Sequence, residues 1–88
     1  MQPEVDERIT RDQIRDLMAQ VLAHHGHTLP DDDATALRDI GFRSLDFSEL
    51  ALRVEDSIGR ELNFDAPELR SISTVADVLD LLVTLQDA

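Results

Sequence analysis

Apolar side chains recur at intervals of three and four residues in three separate segments of this chain. The sets are Ile14, Leu17, Met18, Val21 and Leu22 in the first segment, Phe47, Leu50, Ala51, Val54 and Ile58 in the second, and Val75, Val78, Leu79, Leu82 and Leu85 in the last. This spacing places each set on one face of an α-helix, which can bury that face in a core. No segment alternates apolar and polar residues as a half-buried strand does. We therefore predict an all-α fold.

Polar residues mark where the first helix begins. Thr10 and Gln13 have the spacing of a capping box, and Ile9 and Ile14 occupy the flanking hydrophobic-staple positions. Gly26 is the expected C-terminal stop. We accordingly expect residues 1–9 to be a flexible tail and residues 10–88 to form a single domain.

The later helices have similar boundary signals. The second helix is predicted from Leu45 to Ile58, with Gly59 ending it. Asp65 as N-cap and Pro67 in the first turn predict a short helix. The last helix is predicted to begin near residues 73–74. The result is a four-helix bundle with three longer helices and one short one.

The longest connection, residues 26–43, lies between the first two helices. Loops of this length in small domains tend to be functional. We expect Leu37, Ile40 and Phe42 to hold it against the core, with a helical turn near residues 35–39.

The second helix has apolar residues on two faces. Leu45 and Leu52 lie opposite its core-facing residues, among the charged side chains of Asp46, Glu49, Arg53 and Asp56. A mixed apolar and acidic surface is typical of a docking site for another protein. The alternative is that the two leucines are exposed without a role.

Composition narrows the possible partners. The chain has 88 residues and a formal net charge of -11. Such acidity argues against nucleic-acid binding, which requires lysine and arginine, and favours partners with basic surfaces. No apolar run approaches the roughly 20 residues of a membrane span, and residues 1–8 do not have the pattern of a secretion signal. We therefore expect a cytoplasmic protein without a membrane partner.

The absence of cysteine excludes a disulfide framework and a thiolate metal site. It also means that any thioester chemistry needs a thiol from a prosthetic group. A domain this small offers little room for a deep catalytic pocket, so a self-contained enzyme is disfavoured.

Ser44 is the candidate for chemistry at the start of the second helix. Serine is favoured as an N-cap, and an anion attached to its oxygen would lie at the positive end of the helix dipole. The segment Gly41-Phe42-Arg43-Ser44 does not match the Gly-x-Ser-x-Gly elbow of serine hydrolases. We therefore expect modification of Ser44 rather than catalysis by it.

Metal binding is not expected. His24, His25 and His27 form a local cluster that could bind zinc or nickel, and residues 24 and 27 are one helical turn apart, but imidazoles near a helix C-terminus more simply complement its dipole. The run Asp31-Asp32-Asp33 does not begin a calcium loop, because Ala36 and Phe42 stand where an EF-hand has Gly and Glu.

The segment Gly41-Phe42-Arg43-Ser44-Leu45 resembles the Gly-x-Asp-Ser-Leu motif of the acyl carrier protein family. Gly41, Ser44 and Leu45 match, whereas Arg43 stands where the family usually has Asp. The resemblance extends over roughly residues 10–86 and includes the order of helices. It implies that Ser44 carries a covalent 4′-phosphopantetheine arm, whose thiol holds a carboxylic acid as a thioester.

The resemblance also implies a non-catalytic, monomeric carrier that serves fatty-acid or polyketide biosynthesis. Its partners would be a phosphopantetheinyl transferase and an acyltransferase, ligase, ketosynthase or similar enzyme with a basic docking surface. The implied docking residues are Arg43, Leu45, Asp46, Glu49, Leu52, Glu55 and Asp56, and the implied cargo-pocket residues are Leu50, Val54, Ile58 and Leu62.

Two alternatives stay open from the sequence. Arg43 is compatible with an aminoacyl or peptidyl carrier of a nonribosomal pathway, since those carriers often have another residue before the serine. The Leu45/Leu52 face is compatible with an unmodified helical interaction module.

Overall fold

The computed structural model describes residues 8–87 and consists of four α-helices. They are α1 (Arg11–His24), α2 (Ser44–Ile58), α3 (Ala66–Arg70) and α4 (Val75–Leu85), and a 3₁₀ turn (Leu37–Ile40) lies between α1 and α2. Residues 8–87 contain no strand, only an isolated bridge between Ala36 and Thr74. The predicted all-α fold, with three longer helices and one short one, is confirmed.

One hydrophobic core joins the helices, and it contains most of the apolar residues that the periodicity selects. Of the predicted core faces, only Leu17 is partly rather than fully buried. Leu37 and Phe42 from the long loop are also buried, as predicted. Among the described helices, none is long and apolar enough to cross a bilayer.

Helix α1 begins and ends at the residues that the sequence predicted. Thr10 Oγ1 accepts from the Gln13 amide at 3.1 Å, and Gln13 Oε1 accepts from the Thr10 amide at 2.7 Å, which completes the capping box. After His24, the left-handed conformation of Gly26 (φ +80°) redirects the chain.

Ordered structure begins before Thr10. The Ile9 amide donates to Gln86 Oε1 at 2.7 Å, and Gln86 Nε2 donates back to the Ile9 carbonyl at 3.2 Å. This pair attaches the start of α1 to the end of α4. The flexibility of residues 1–9 stays a prediction, and residues 1–7 lie outside the described residues.

Candidate functional site

Ser44 is the first residue of α2, and its side chain is exposed. The prediction that it is the N-cap is wrong: Arg43 has the extended backbone of the cap (φ −116°, ψ 179°), and Ser44 is already helical. The reason is Asp46, whose Oδ2 accepts from the Arg43 amide at 2.8 Å and so satisfies the helix start from the third helical position. Within residues 8–87 no hydrogen bond engages the Ser44 hydroxyl, which is left available.

Gly41 makes the turn that delivers the chain to Ser44. Its φ of +73° is in the left-handed region, and a Cβ there would lie 2.8 Å from Nε2 of His27. A side chain at Gly41 would therefore be strained and would displace the imidazole. The adjoining Phe42 is buried, which fixes the approach to the helix.

The loop before Ser44 is hydrogen-bonded to the start of α4. The Leu37 amide donates to the Ser73 carbonyl at 2.9 Å, and the Val75 amide donates to the Thr35 carbonyl at 3.0 Å. Ala76 bonds in the same way to Asp33, at 2.8 Å. These hydrogen bonds hold the loop before Ser44 against the start of α4.

The acidic run in that loop is partly neutralised. Asp33 forms ion pairs with Arg15 at 3.1 Å and Arg11 at 3.4 Å, which join the loop to α1. Asp32 accepts from the Ala34 amide at 2.9 Å and shapes the backbone. The run thus has a structural role.

A cleft of about 610 Å³ opens beside Ser44. Most of its lining surface is apolar, and the remainder comes from polar and cationic side chains. The lining residues are Ala36, Leu37, Phe42, Phe47, Leu69 and Ile72 with Arg38, Arg43, Ser44, Ser73 and Thr74. Ser44 is thus one of the residues that line this cleft.

The predicted cargo-pocket residues do not line this cleft. Leu50, Val54, Ile58 and Leu62 are all buried in the closed core. Their role as a cargo pocket stays a prediction, since it would require the core to open.

The predicted docking residues fall into two groups. Leu45 and Leu52 are 84% and 61% exposed, and Asp56 is exposed beside them. By contrast, Asp46 is only 9% exposed, because its carboxylate caps α2. The prediction that Asp46 faces outward is therefore wrong.

The other two predicted acidic docking residues are half-buried. Glu55 Oε2 accepts from the Leu62 amide at 2.8 Å, an internal contact. Glu49 contacts both His25 and Arg53, at 3.0 and 3.2 Å. These contacts lower the pKa of Glu49, chiefly through the hydrogen bond with His25 and secondarily through Arg53.

Sequence reasoning missed one cluster at the junction of α1 and α2. His25 Nε2 lies 3.0 Å from Glu49 Oε1 and 3.4 Å from Asp46 Oδ1. The i, i+3 spacing of Asp46 and Glu49 indicates that they share a helix face, but nothing in the sequence pairs that face with His25. Of the three histidines considered together for a metal, His24 contacts the His25 ring edge-on, whereas His27 packs on Gly41.

Comparisons with known proteins agree with this arrangement. Residues 12–82 match the family model described as a phosphopantetheine attachment site. The fold is similar to the crystal structure of an acyl carrier protein from Thermotoga maritima, with a TM-score of 0.66 and 22% sequence identity over 88% of this chain and 91% of that one. No curated protein matches the sequence significantly.

Proposed function

We propose, from the premise that this chain belongs to the acyl carrier protein family, that Ser44 is the residue to which its 4′-phosphopantetheine is attached. The family makes the chain a carrier protein that works with a phosphopantetheinyl transferase and with biosynthetic enzymes. The proposal covers three points: the residue that carries the arm, the part of the surface on which the arm lies, and the chemical class of its cargo.

The observation that carries the proposal is the state of the Ser44 hydroxyl. It is exposed, it makes no hydrogen bond to another described residue, and it lies at the N-terminus of a 15-residue helix. A phosphodiester on its oxygen would be stabilised by the free amides and positive dipole end of α2. Such stabilisation is worth about 0.3–1 kcal/mol at an exposed helix end.

The same observation supports a carrier rather than a hydrolase. A serine nucleophile needs a base within hydrogen-bond reach, and no such base engages Ser44 among residues 8–87. The nearby His25 is occupied by carboxylates from α2. The reactive thiol of the working protein would then belong to the arm, since the chain has no cysteine.

We place the beginning of the arm in the cleft beside Ser44. Phe47, Leu69 and Ile72 give this cleft an apolar wall, and Ser73 and Thr74 add hydroxyl groups to its lining. An arm that alternates amide and methylene groups could contact both the apolar wall and the polar lining residues of the cleft. The cargo would be an acyl group of fatty-acid or polyketide biosynthesis.

An aminoacyl or peptidyl cargo is the second candidate, and Arg43 is the feature that favours it. Loading assays on the arm-bearing protein separate the two: an acyltransferase or acyl ligase should load it, whereas an amino-acid-activating enzyme should not. Transfer of amino acids but not acyl groups would reverse this assignment.

Intact-mass spectrometry tests the attachment residue. The chain is coexpressed with a broad-specificity transferase, and one prosthetic-group mass should be added to it. Ser44→Ala should abolish the addition. Ser48→Ala, which removes an exposed hydroxyl one turn further along α2, should leave it intact.

Addition that persists in the Ser44→Ala variant would move the site to another residue. No addition to the wild-type chain with several transferases would contradict the carrier function and favour an interaction module.

A further inference from the structure

His25, Asp46 and Glu49 form a cluster that does not include Ser44. It joins the residue that follows α1 to the first two turns of α2, and one ligand-capable atom from each of the three residues lies within 4.8 Å of the others. The set combines one imidazole nitrogen with two carboxylate oxygens. Its formal charge with neutral histidine is that of a site for a divalent cation.

The distances match the spacing of ligands around a small cation. Ligands bound at about 2.1 Å are about 3.0 Å apart at adjacent octahedral positions and about 3.4 Å apart in a tetrahedron. His25 Nε2 is 3.0 Å from Glu49 Oε1 and 3.4 Å from Asp46 Oδ1. The two carboxylate oxygens lie within 4.8 Å of each other, so a small shift of the half-exposed Glu49 side chain would bring them to ligand spacing.

The other oxygen of each carboxylate is already held in place. Asp46 Oδ2 accepts from the Arg43 amide at 2.8 Å, and Glu49 Oε2 accepts from Arg53 at 3.2 Å. Hydrogen bonds of this kind orient the ligands of metal sites. They also distinguish this cluster from freely rotating surface carboxylates.

Solvent has access to the site on one side only. Asp46 is largely buried, with 12% of its side chain exposed, whereas His25 is 42% exposed. A cleft of about 380 Å³ borders all three residues and leaves room for water ligands. A metal ion could therefore enter from the cleft and bind three protein ligands, and water could fill the remaining coordination positions.

We propose that His25, Asp46 and Glu49 bind one divalent transition-metal ion, of the class of Zn²⁺, Co²⁺ or Ni²⁺. The imidazole selects this class over Mg²⁺ and Ca²⁺, which prefer oxygen ligands alone. The ion would bind the lone pair of Nε2, and the neutral ring would then carry its proton on Nδ1. The bound ion fixes the end of α1 to the start of α2, next to Ser44.

The test uses the full chain without an affinity tag and without the arm, stripped of metal by a chelator. Zn²⁺ is titrated calorimetrically, and Co²⁺ is titrated by its visible absorption. We expect one ion per chain and a melting temperature that rises with Zn²⁺ concentration, because a ligand of the folded state stabilises it. Magnesium at the same concentration should raise it much less.

Matched variants assign the ligands. His25→Ala and Glu49→Gln should each weaken Zn²⁺ binding at least tenfold. His24→Ala removes the neighbouring imidazole but keeps all three ligands, so it should change the affinity less than threefold. Ser44→Ala should bind Zn²⁺ like the wild type, so this result is separable from the attachment of the arm.

Equal losses in His24→Ala and His25→Ala would show binding by the histidine-rich segment as a whole and would overturn the proposal. So would the absence of saturable Zn²⁺ binding, or equal stabilisation by Zn²⁺ and Mg²⁺. Circular dichroism of Glu49→Gln, in which the shape of the side chain is kept, distinguishes a lost ligand from a lost fold.

Discussion

Arg43 stands out at the scale of single residues because it is a cation without an internal partner in an acidic chain. Three arginines, Arg38, Arg43 and Arg70, make no ion pair or hydrogen bond with their side chains among residues 8–87, whereas Arg11, Arg15 and Arg53 are all paired with acids. Two of the three unpaired residues, Arg38 and Arg43, line the cleft beside Ser44. Unpaired cations at this position would attract an anionic group of another molecule.

Arg43→Asp should raise the rate of modification by a transferase that is adapted to acidic carriers. The substitution changes the local charge by two units. At about 6–7 Å and an effective dielectric constant of about 40–80, each unit is worth roughly 0.6–1.3 kcal/mol against one cation of the partner. We therefore expect kcat/KM to increase by about an order of magnitude, measured by the rate of arm transfer.

Arg38→Asp is the matched control for this effect. It changes the net charge equally and lies on the same cleft, but it is further along the chain from Ser44. If both variants accelerate the transferase equally, overall charge explains the effect. If neither does, Arg43 points away from the transferase and the departure from the family motif has no effect on this step.

Helix α2 shows, at the scale of secondary structure, what periodicity predicts and what it does not. The core-facing residues and the exposed Leu45 and Leu52 follow from the 3.6-residue repeat alone. Periodicity could not assign the N-cap residue of α2, because this depends on which side chain, that of Ser44 or that of Asp46, accepts from a backbone amide at the start of the helix. Capping by Asp46 also takes this residue away from the docking surface.

Leu52→Ala should weaken binding to a partner enzyme without destabilising the fold. Leu52 lies two turns from Leu45 on the same exposed side of α2. If a partner buries the leucine, the lost contact should cost about 1–2 kcal/mol. This corresponds to a roughly five- to thirtyfold increase in Kd, measured by titration with the transferase.

Thr84→Ala, on the exposed side of α4, is the control and should bind normally. The urea midpoint of Leu52→Ala should equal that of the wild type. An unchanged Kd would show that the two leucines are exposed without a role in this complex.

The start of α4 gives a prediction about pH. Asp77 Oδ2 accepts from the amides of Ser73 at 2.9 Å and Thr74 at 3.1 Å, and these bonds lower the pKa of Asp77, the Ser73 amide contributing most. A carboxyl group whose pKa is lowered by folding stabilises the native state above its unfolded pKa and loses this contribution as pH falls through the native value.

Asp77→Asn keeps an oxygen acceptor but removes the negative charge from the first turn of α4, and should therefore reduce the free energy of unfolding at pH 7 by about 0.3–1 kcal/mol. The difference from the wild type should shrink as pH falls below about 4, the ordinary pKa of an aspartate, and through the lower native pKa of Asp77. Urea denaturation at several pH values measures both. Asp56→Asn removes an exposed charge from α2 and should show no such pH dependence; a parallel response in the two variants would contradict the role given to the cap.

At the scale of the whole molecule, the four-helix order and the core were predictable because each helix has a one-sided apolar pattern and clear boundary signals. The contact between His25 and Glu49 was not predictable from the sequence, since it depends on how closely the end of α1 approaches the start of α2. The cleft beside Ser44 was not predictable for the same reason. It forms where the 3₁₀ turn and the start of α2 meet α3 and residues 72–74, which lie much later in the sequence, and packing sets the spacing between them.

The net charge of -11 gives the last prediction, which concerns stability and salt. The Cα radius of gyration is 13.1 Å. At 10 mM ionic strength the Debye length of about 30 Å exceeds this radius, so the acidic residues repel one another across the whole molecule. At 150 mM it falls to about 8 Å, and most of that repulsion is screened. The melting temperature should therefore rise by several degrees between these ionic strengths and change little with further NaCl.

The measurement is thermal unfolding in NaCl with a chelator present, so that metal binding does not contribute. Asp31→Asn and Asp56→Asn each remove an exposed negative charge and should reduce the dependence on salt. A melting temperature that is independent of NaCl would show that ion pairs such as those of Asp33 with Arg11 and Arg15 already offset the repulsion within the fold.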